Sequence, residues 1–278
     1  MYDIKMVFPG GMNKAVTLSY DDGVEQDIRL IDIMNRHGLK GTFNLNGGLF
    51  APEGTVYPAG QVHRRLSRQA AIDLYTHSGQ EVALHAMHHS DLPNVPPAYA
   101  AWQIVREKEV LEDMFGRIVR GMAYPYGTHS DGNIQMLQSC GIAYARTTES
   151  TLRTLLPNDW LKMPATCHHN HPDLMKMARS FVEDYSSIAR LFYLWGHSYE
   201  FERNDNWHVI EEFADYMNGR EDVWCATNIE IYDYVTAWRG MHISANGRLL
   251  HNPSALTLWI KSDDQIYKLE SGADLQLH

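Results

Sequence analysis

The sequence predicts an α/β fold, a parallel sheet with helices on its outside that closes, or nearly closes, into a barrel of seven or eight β/α units. Three observations carry this. Short apolar runs alternate with helical patterns from about residue 14 to residue 238, the signature of βα units on a parallel sheet. The count of units is seven or eight. The length of 278 residues suits one barrel-type domain. After about Met241 the pattern changes to short apolar runs between turn signals such as Asn246-Gly247 and Ser271-Gly272. We therefore expect a barrel over residues 1–240 and a small β-rich C-terminal appendage over 241–278, packed on it.

The first unit is the most informative. Ala15-Val16-Thr17-Leu18-Ser19-Tyr20 reads as a buried strand and ends in Asp21, Asp22 and Gly23. Asp-Gly alone also signals a hairpin. Val24 to Gly38, however, reads as a helix with Ile28, Ile31 and Met34 on its apolar face and Gly38 as its stop. Two carboxylates at a buried strand end are costly unless paired, and a metal ion would pair them.

The remaining elements follow in order. Gly41–Leu45 is a second strand. Asn46 to Arg65 is a long Gly/Pro-rich loop, of the kind that is usually functional or a lid. Ser67 caps a helix running through His77. Glu81–Leu84 is a third strand, leading into His85-Ala86-Met87-His88-His89. Ala98 to Phe115 is an amphipathic helix stopped by Gly116. Ile118 to Ala123 is a fourth strand, followed by Tyr124-Pro125-Tyr126-Gly127. A short helix over 132–140 and a fifth strand, Ile142–Ala145, come next. Leu161–Pro164 is a weaker sixth strand, followed by Cys167-His168-His169-Asn170-His171 and a helix from Pro172 to Ile188. Leu191–Trp195 is a seventh strand, ending in Gly196-His197. A helix over 206–218, an eighth strand Val223–Ala226 and a closing helix from Ile229 to Trp238 complete the pattern.

Composition excludes several classes. A net charge of −10 and a pI of about 5.8 argue against nucleic acid, whose phosphates require a basic patch, and against strongly anionic substrates. Cys140, Cys167 and Cys225 are widely spaced and odd in number, so they form neither a disulfide framework nor a CxxC zinc pair. A reducing compartment fits. Residues 1–11 contain no apolar signal-peptide core, and no run approaches the ~18 apolar residues of a membrane span. A cytoplasmic protein without nucleic-acid or membrane partners is the expectation; the oligomeric state is left open.

Active sites of parallel β/α barrels lie at the C-terminal ends of the strands. Those ends deliver Asp21 and Asp22, His85 and His89, Pro125-Tyr126-Gly127, and His197. His85 and His89 are four apart, so one helical turn would put both rings on one face. With Asp22 they make a two-imidazole, one-carboxylate set that suits Zn²⁺ first, and also Co²⁺, Ni²⁺ or Fe²⁺.

Four motifs, Ser19-Tyr-Asp-Asp-Gly23, His85-Ala-Met-His-His89, Tyr124-Pro-Tyr-Gly127 and Leu194-Trp-Gly-His197, resemble in this order the signature motifs of the polysaccharide deacetylases, the NodB-homology or family 4 carbohydrate esterase enzymes. The resemblance covers about residues 14–238. It implies a distorted (β/α) barrel and a metal-dependent hydrolase that removes acetyl groups from N-acetylated, or alternatively O-acetylated, saccharides. Asp21 would be the general base. Asp22, His85 and His89 would bind the metal. The backbone N–H of Tyr126 would help hold the oxyanion, and His197 would protonate the leaving group. This division of labour agrees with the chemistry. A metal lowers the pKa of bound water to roughly 7 and polarises the carbonyl, and a histidine titrates where a leaving amine needs its proton.

The chain also departs from the family pattern. The arginine that often precedes Pro-Tyr-Gly and pairs with the base is replaced by Ala123 or Tyr124, and Arg120 points elsewhere along its strand. Asp159-Trp160 stands where an Asp-Trp motif often follows. His88 reads as a solvated neighbour, the tract His168, His169 and His171 as a polar loop, with a second ion or a substrate contact as the alternative, and Tyr199 and Glu200 as rim residues. None of Trp102, Trp195, Trp207 and Trp259 is assigned to the site. Two other readings are an allantoinase-like cyclic-amide hydrolase and a saccharide-binding domain without catalysis. The intact ligand set argues against the first, and the presence of both Asp21 and His197 against the second.

Overall fold

The computed structural model describes residues 3–277; residues 1, 2 and 278, assigned above to the ends of the barrel and the appendage, lie outside the described residues. The chain runs β1 (Lys5–Val7), β2 (Lys14–Asp21), α1 (Asp27–Arg36), β3 (Gly41–Leu45), α2 (Arg68–Thr76), β4 (Glu81–Leu84), α3 (Pro97–Phe115), β5 (Gly121–Ala123), α4 (Asp131–Ser139), β6 (Tyr144–Ser150), β7 (Met163–Ala165) and β8 (Cys167–His168). It continues through α5 (Leu174–Val182), β9 (Arg190–Gly196), α6 (Tyr199–Arg203), α7 (His208–Met217), β10 (Val223–Cys225) and α8 (Asn228–Arg239), then β11 (His242–Ile243), β12 (Leu249–His251), β13 (Leu258–Ser262), β14 (Gln265–Leu269) and β15 (Asp274–Gln276).

The parallel sheet has the order β7-β6-β5-β4-β3-β2-β9-β8, with β10 also paired to β2. It is a nearly closed barrel. Strand β2 pairs with β9 over residues 14–20. On its other edge β10 covers residues 14–16 and β3 covers 18–21. The ends of the sheet, β7 and β8, are consecutive in the chain, one on β6 and the other on β9. Thr166 between them donates to Tyr193 O, so one short segment spans the seam.

Strand alternation sorts the residues of β2. Val16, Leu18 and Tyr20 pack in the same apolar core as α1 residues Leu30, Ile33 and Met34. Thr17, Ser19 and Asp21 face the barrel interior, which is polar: Thr17 bonds Asn228, and Asn44 bonds both Ser19 and Asp21. Helix ends follow their sequence signals. Ser67 accepts from Ala70 N, Thr227 and Glu230 form a capping box, and Gly116 ends α3 in the left-handed region at φ 62°.

Several elements differ from expectation: the fourth barrel strand starts at Gly121, the sixth is shifted to Met163–Ala165 behind a turn at 160–162, and Cys167–His168 is itself a strand. Helix α5 stops at Val182 rather than Ile188, because the Lys14 ammonium caps the Val182 carbonyl at 2.5 Å and Asp184 turns back to Ser186 N and Arg190. The fifth barrel strand, β6, continues past Ala145 to Ser150, which brings Arg146 into the interior.

Beyond α8 the chain forms short strands. One three-stranded sheet is β11-β12-β15; the other, β1-β13-β14, takes its first strand from residues 5–7. Both sheets share a second apolar core with Tyr144, Leu191, Tyr193 and α8.

Candidate active site

The site is assembled from four loops at the strand ends. Asp21 is the last residue of β2 and almost fully buried. Its Oδ1 accepts from Asn44 Nδ2 at 2.8 Å, and its Oδ2 accepts from Arg146 Nη2 at 2.5 Å. The same Oδ2 lies 3.9 Å from His85 Nε2 and 3.8 Å from His197 Nε2. Burial alone would raise the Asp21 pKa, but Arg146, His85 and His197 outweigh it and hold the carboxyl below its ordinary range.

Asp22 turns the other way. Its φ of 84° is possible for aspartate but uncommon. The turn sets its carboxylate apart from that of Asp21, on the side of His85 and His89, and one ligand atom from each of the three lies within 4.8 Å of the others. His85 Nδ1 is 2.9 Å from the Ala123 carbonyl. A proton there leaves Nε2 as a free lone pair, the arrangement usual for a metal-bound histidine. Burial lowers the pKa of His85, and burial with His85 beside it pushes His89 down to about 4. Both rings are therefore neutral at pH 7, as ligands must be. Buried carboxylate, neutral imidazoles and a fixed tautomer make a donor set that fits a divalent cation.

The expected helical turn over residues 85–89 is absent. The two rings meet, centroids 4.7 Å apart, because Ala86 and His89 both adopt left-handed backbone, at φ 59° and 53°. With Asp22 and Tyr126 (φ 59°), four of the eight non-glycine residues at positive φ among the described residues lie on these loops. Such strain concentrates where a surrounding scaffold enforces it. Here α3 supplies scaffold: Gln103 Oε1 accepts from His88 N at 2.8 Å, and Glu107 accepts from Gly47 N at 3.0 Å.

Tyr126 sits at the tip of the Pro125–Gly127 turn with an exposed side chain whose ring meets His89 edge-on, centroids 4.6 Å apart. His197 follows β9. Burial would lower its pKa, but Glu200, Asp21 and Asp22 together raise it. Ser198, next in the chain, donates to Asp27 Oδ1 at 2.5 Å, and Tyr75 donates to Asp27 Oδ2 at 2.6 Å. Asp27 thus anchors the His197 loop to the first helix.

Asp21, Asp22, His85, His89, Tyr126 and His197 are therefore one cluster, as the strand-end reading requires. Residues 10–145 match the family model described as polysaccharide deacetylase. This match spans just under half of the chain. A search of the curated proteins returns no match. Among solved structures, a candidate polysaccharide deacetylase from Mycobacterium smegmatis is 18% identical, covers 84% of this chain and 94% of its own, and has a TM-score of 0.62. A peptidoglycan deacetylase, PdaC, from Bacillus subtilis is 15% identical over 84% of this chain and 95% of its own, with a TM-score of 0.51. A family 4 carbohydrate esterase from Streptomyces lividans, solved with acetate, is 15% identical over 77% and 93%, with a TM-score of 0.50. At these identities the likeness is one of fold.

Set against the deacetylase motifs, the site shows what takes the place of the arginine missing before Pro-Tyr-Gly. Arg146 of β6, the strand beside β5, reaches Asp21 of β2 across the barrel interior, its guanidinium over the Trp195 ring at 4.4 Å. Asp159-Trp160 lies elsewhere: Asp159 caps the turn 160–162, and Trp160 packs on Tyr232. His88 is exposed and stacks on Trp102. Two residues of the long loop, unassigned from sequence, contact Asp22: His63 Nε2 at 3.2 Å and Arg65 Nη2 at 3.1 Å. A His-Arg-Arg run (63–65) closing a loop whose one other charged residue is Glu53 was the available signal.

Proposed function

We propose that the protein is a metal-dependent hydrolase that removes acetyl groups from N-acetylated, or alternatively O-acetylated, saccharides. Asp22, His85 and His89 hold the divalent cation, with Zn²⁺ the best match to two imidazoles and a carboxylate. When bound, it supplies Lewis acidity toward the acyl carbonyl and lowers the pKa of water.

The protein's own groups do the rest. Asp21, kept ionised by Arg146 and oriented by Asn44, takes the proton of the attacking water. His197, whose pKa the carboxylates around it raise, gives a proton to the departing nitrogen or oxygen. The Tyr126 backbone N–H donates to the carbonyl oxygen as negative charge develops there. Bound acetate in the Streptomyces lividans structure agrees with acetate as the released acid.

The observation that carries this reading is the separation of the two adjacent aspartates: Asp22 faces the imidazole pair, while Asp21 sits between His85 and His197 with an arginine of its own. Acetate release from N-acetylglucosamine oligomers by the Zn²⁺-loaded protein tests it. Asp21→Asn should lower the rate by about 10²- to 10⁴-fold, the range for a positioned acid or base. Unchanged release would refute the assignment.

A further inference from the structure

On the reading that Asp22, His85 and His89 hold a divalent cation, the three ligands come from two loops, and the strength of the site depends on how firmly those loops are spaced. The sheet fixes them only as far as the strand ends. Asp22 N donates to Asn44 O and His85 N to Leu45 O, both at 2.9 Å. No backbone hydrogen bond joins residues 22–24 directly to residues 85–89 among the described residues.

Two side chains take over there. Asn46 directly follows β3 and is almost completely buried. Its Nδ2 donates to the carbonyls of His85 at 2.6 Å and Ala86 at 2.8 Å, and its Oδ1 accepts from Arg65 Nη1 at 2.8 Å. Arg65 closes the long loop. The backbone around it is anchored beside Asp22, with Glu25 N donating to Arg64 O and Leu66 N to Gly23 O. Arg65 Nη1 also donates to Asp22 O at 2.6 Å, and Nη2 to Asp22 Oδ1 at 3.1 Å. A continuous chain of hydrogen bonds therefore runs from one ligand loop to the other, through His85 O, Asn46, Arg65 and Asp22. It uses no imidazole nitrogen.

The chain grips the backbone where support is most needed. Asp22 and Ala86 both adopt left-handed backbone, at φ 84° and 59°. That conformation is uncommon for residues with a Cβ and persists where the surroundings over-determine it. The carbonyl of each accepts from this chain. The Asn46 amide is held from both sides, its nitrogen by two acceptors and its oxygen by a donor, so its orientation is fixed. Arg65 takes the main-chain oxygen and one carboxylate oxygen of Asp22 at once, which sets the rotation of the carboxylate as well as the place of the loop.

We propose that Asn46 and Arg65 are positioning residues that act as one clamp, setting the spacing between Asp22 and the His85–His89 pair and thereby the affinity for a divalent cation.

Zn²⁺ affinity tests this without reference to activity. The full chain is stripped with a chelator and titrated with Zn²⁺ in competition with a chromogenic chelator. Arg65→Lys keeps the positive charge but not the planar fork, so its effect reads lost geometry and not lost repulsion of the cation. Asn46→Ala removes the middle of the chain. Asn46→Ser, too short to span the same partners but still polar, replaces it if Asn46→Ala does not fold. Each single variant should weaken Zn²⁺ binding about 10- to 100-fold, the usual effect of an outer-sphere partner. Because both residues are links of one chain, the double variant should bind no more weakly than the worse of the two singles, whereas independent supports would add. The visible spectrum of the Co²⁺-loaded protein should change in each variant as the ligand geometry relaxes. Unchanged affinity in either single variant, or losses that add in the double, with binding still abolished by Asp22→Asn, would overturn the clamp alone. A wild type that binds Zn²⁺ no more tightly than Asp22→Asn would overturn the cation site itself, and the clamp with it.

Discussion

The buried ion pair of Asp21 and Arg146 decides how the site is tuned. Removing one partner of such a pair leaves an uncompensated charge and typically costs 3–5 kcal/mol. Arg146→Met should therefore destabilise the fold by roughly that amount in urea denaturation. It should also change the pH profile of acetate release. Arg146 holds the Asp21 carboxyl below its ordinary range against the effect of burial. Without the guanidinium the pKa rises, a smaller fraction of Asp21 is ionised at a given acid pH, and the acid limb moves to higher pH. A profile with an unmoved acid limb would mean that Arg146 only packs. This pair was illegible from sequence for a physical reason. Ending the fifth strand at Ala145 leaves Arg146 in a loop, whereas its place is set by strand alternation with Tyr144 and by a partner 125 residues away. Asp21, Asp22, His85 and His197 were legible because each stands at the end of an apolar run, and His89 because it stands four residues beyond His85. His63 and Arg65 were not, since a long loop carries them to Asp22 without any periodic pattern.

At the scale of elements, strands and their order follow from apolar runs, but the loops owe their shapes to neighbours. The 85–89 segment illustrates this: spacing suggested a helical turn, and the rings instead meet through left-handed residues held from α3. Gln103→Ala removes the hydrogen bond to His88 N. It should lower Zn²⁺ affinity at Asp22, His85 and His89 by about 10- to 100-fold, the usual effect of an outer support, with little change in melting temperature; competition against a chromogenic chelator measures it. The Pro125–Gly127 turn is constrained differently. Gly127 has φ 73°, and an added Cβ would lie 2.1 Å from Thr148 Oγ1. Gly127→Ala should cost roughly 2–4 kcal/mol from left-handed strain and overpacking together. Adding Thr148→Ala should restore only the packing share, leaving the strain visible as a persistent shift of the urea midpoint.

At the scale of the whole molecule, the barrel interior is a network of polar groups closed off at the N-terminal ends of its strands by apolar residues of the terminal sheets. One buried ionisable member is Glu81 of β4. Glu81 accepts from Thr42 Oγ1, Tyr144 OH and Ile229 N, and so ties β3, β6 and α8 to one carboxyl. Burial raises its pKa to about 7, more than these three donors lower it. The sign of the consequence is fixed by linkage. Between its unfolded value near 4.3 and about 7, the folded state keeps a proton that the unfolded state has released. Stability contributed by this group is therefore present below pH ~4.3 and falls as pH rises toward 7. Glu81→Gln removes the titration while keeping an acceptor for Ile229 N and an N–H for the Tyr144 hydroxyl. The difference in melting temperature between wild type and Glu81→Gln, measured from pH 4.5 to 8, should drift in favour of the variant as pH rises and level off above about 7. A difference that does not change with pH would mean that Glu81 is ionised in the folded barrel throughout, and that the three donors, not burial, set its charge.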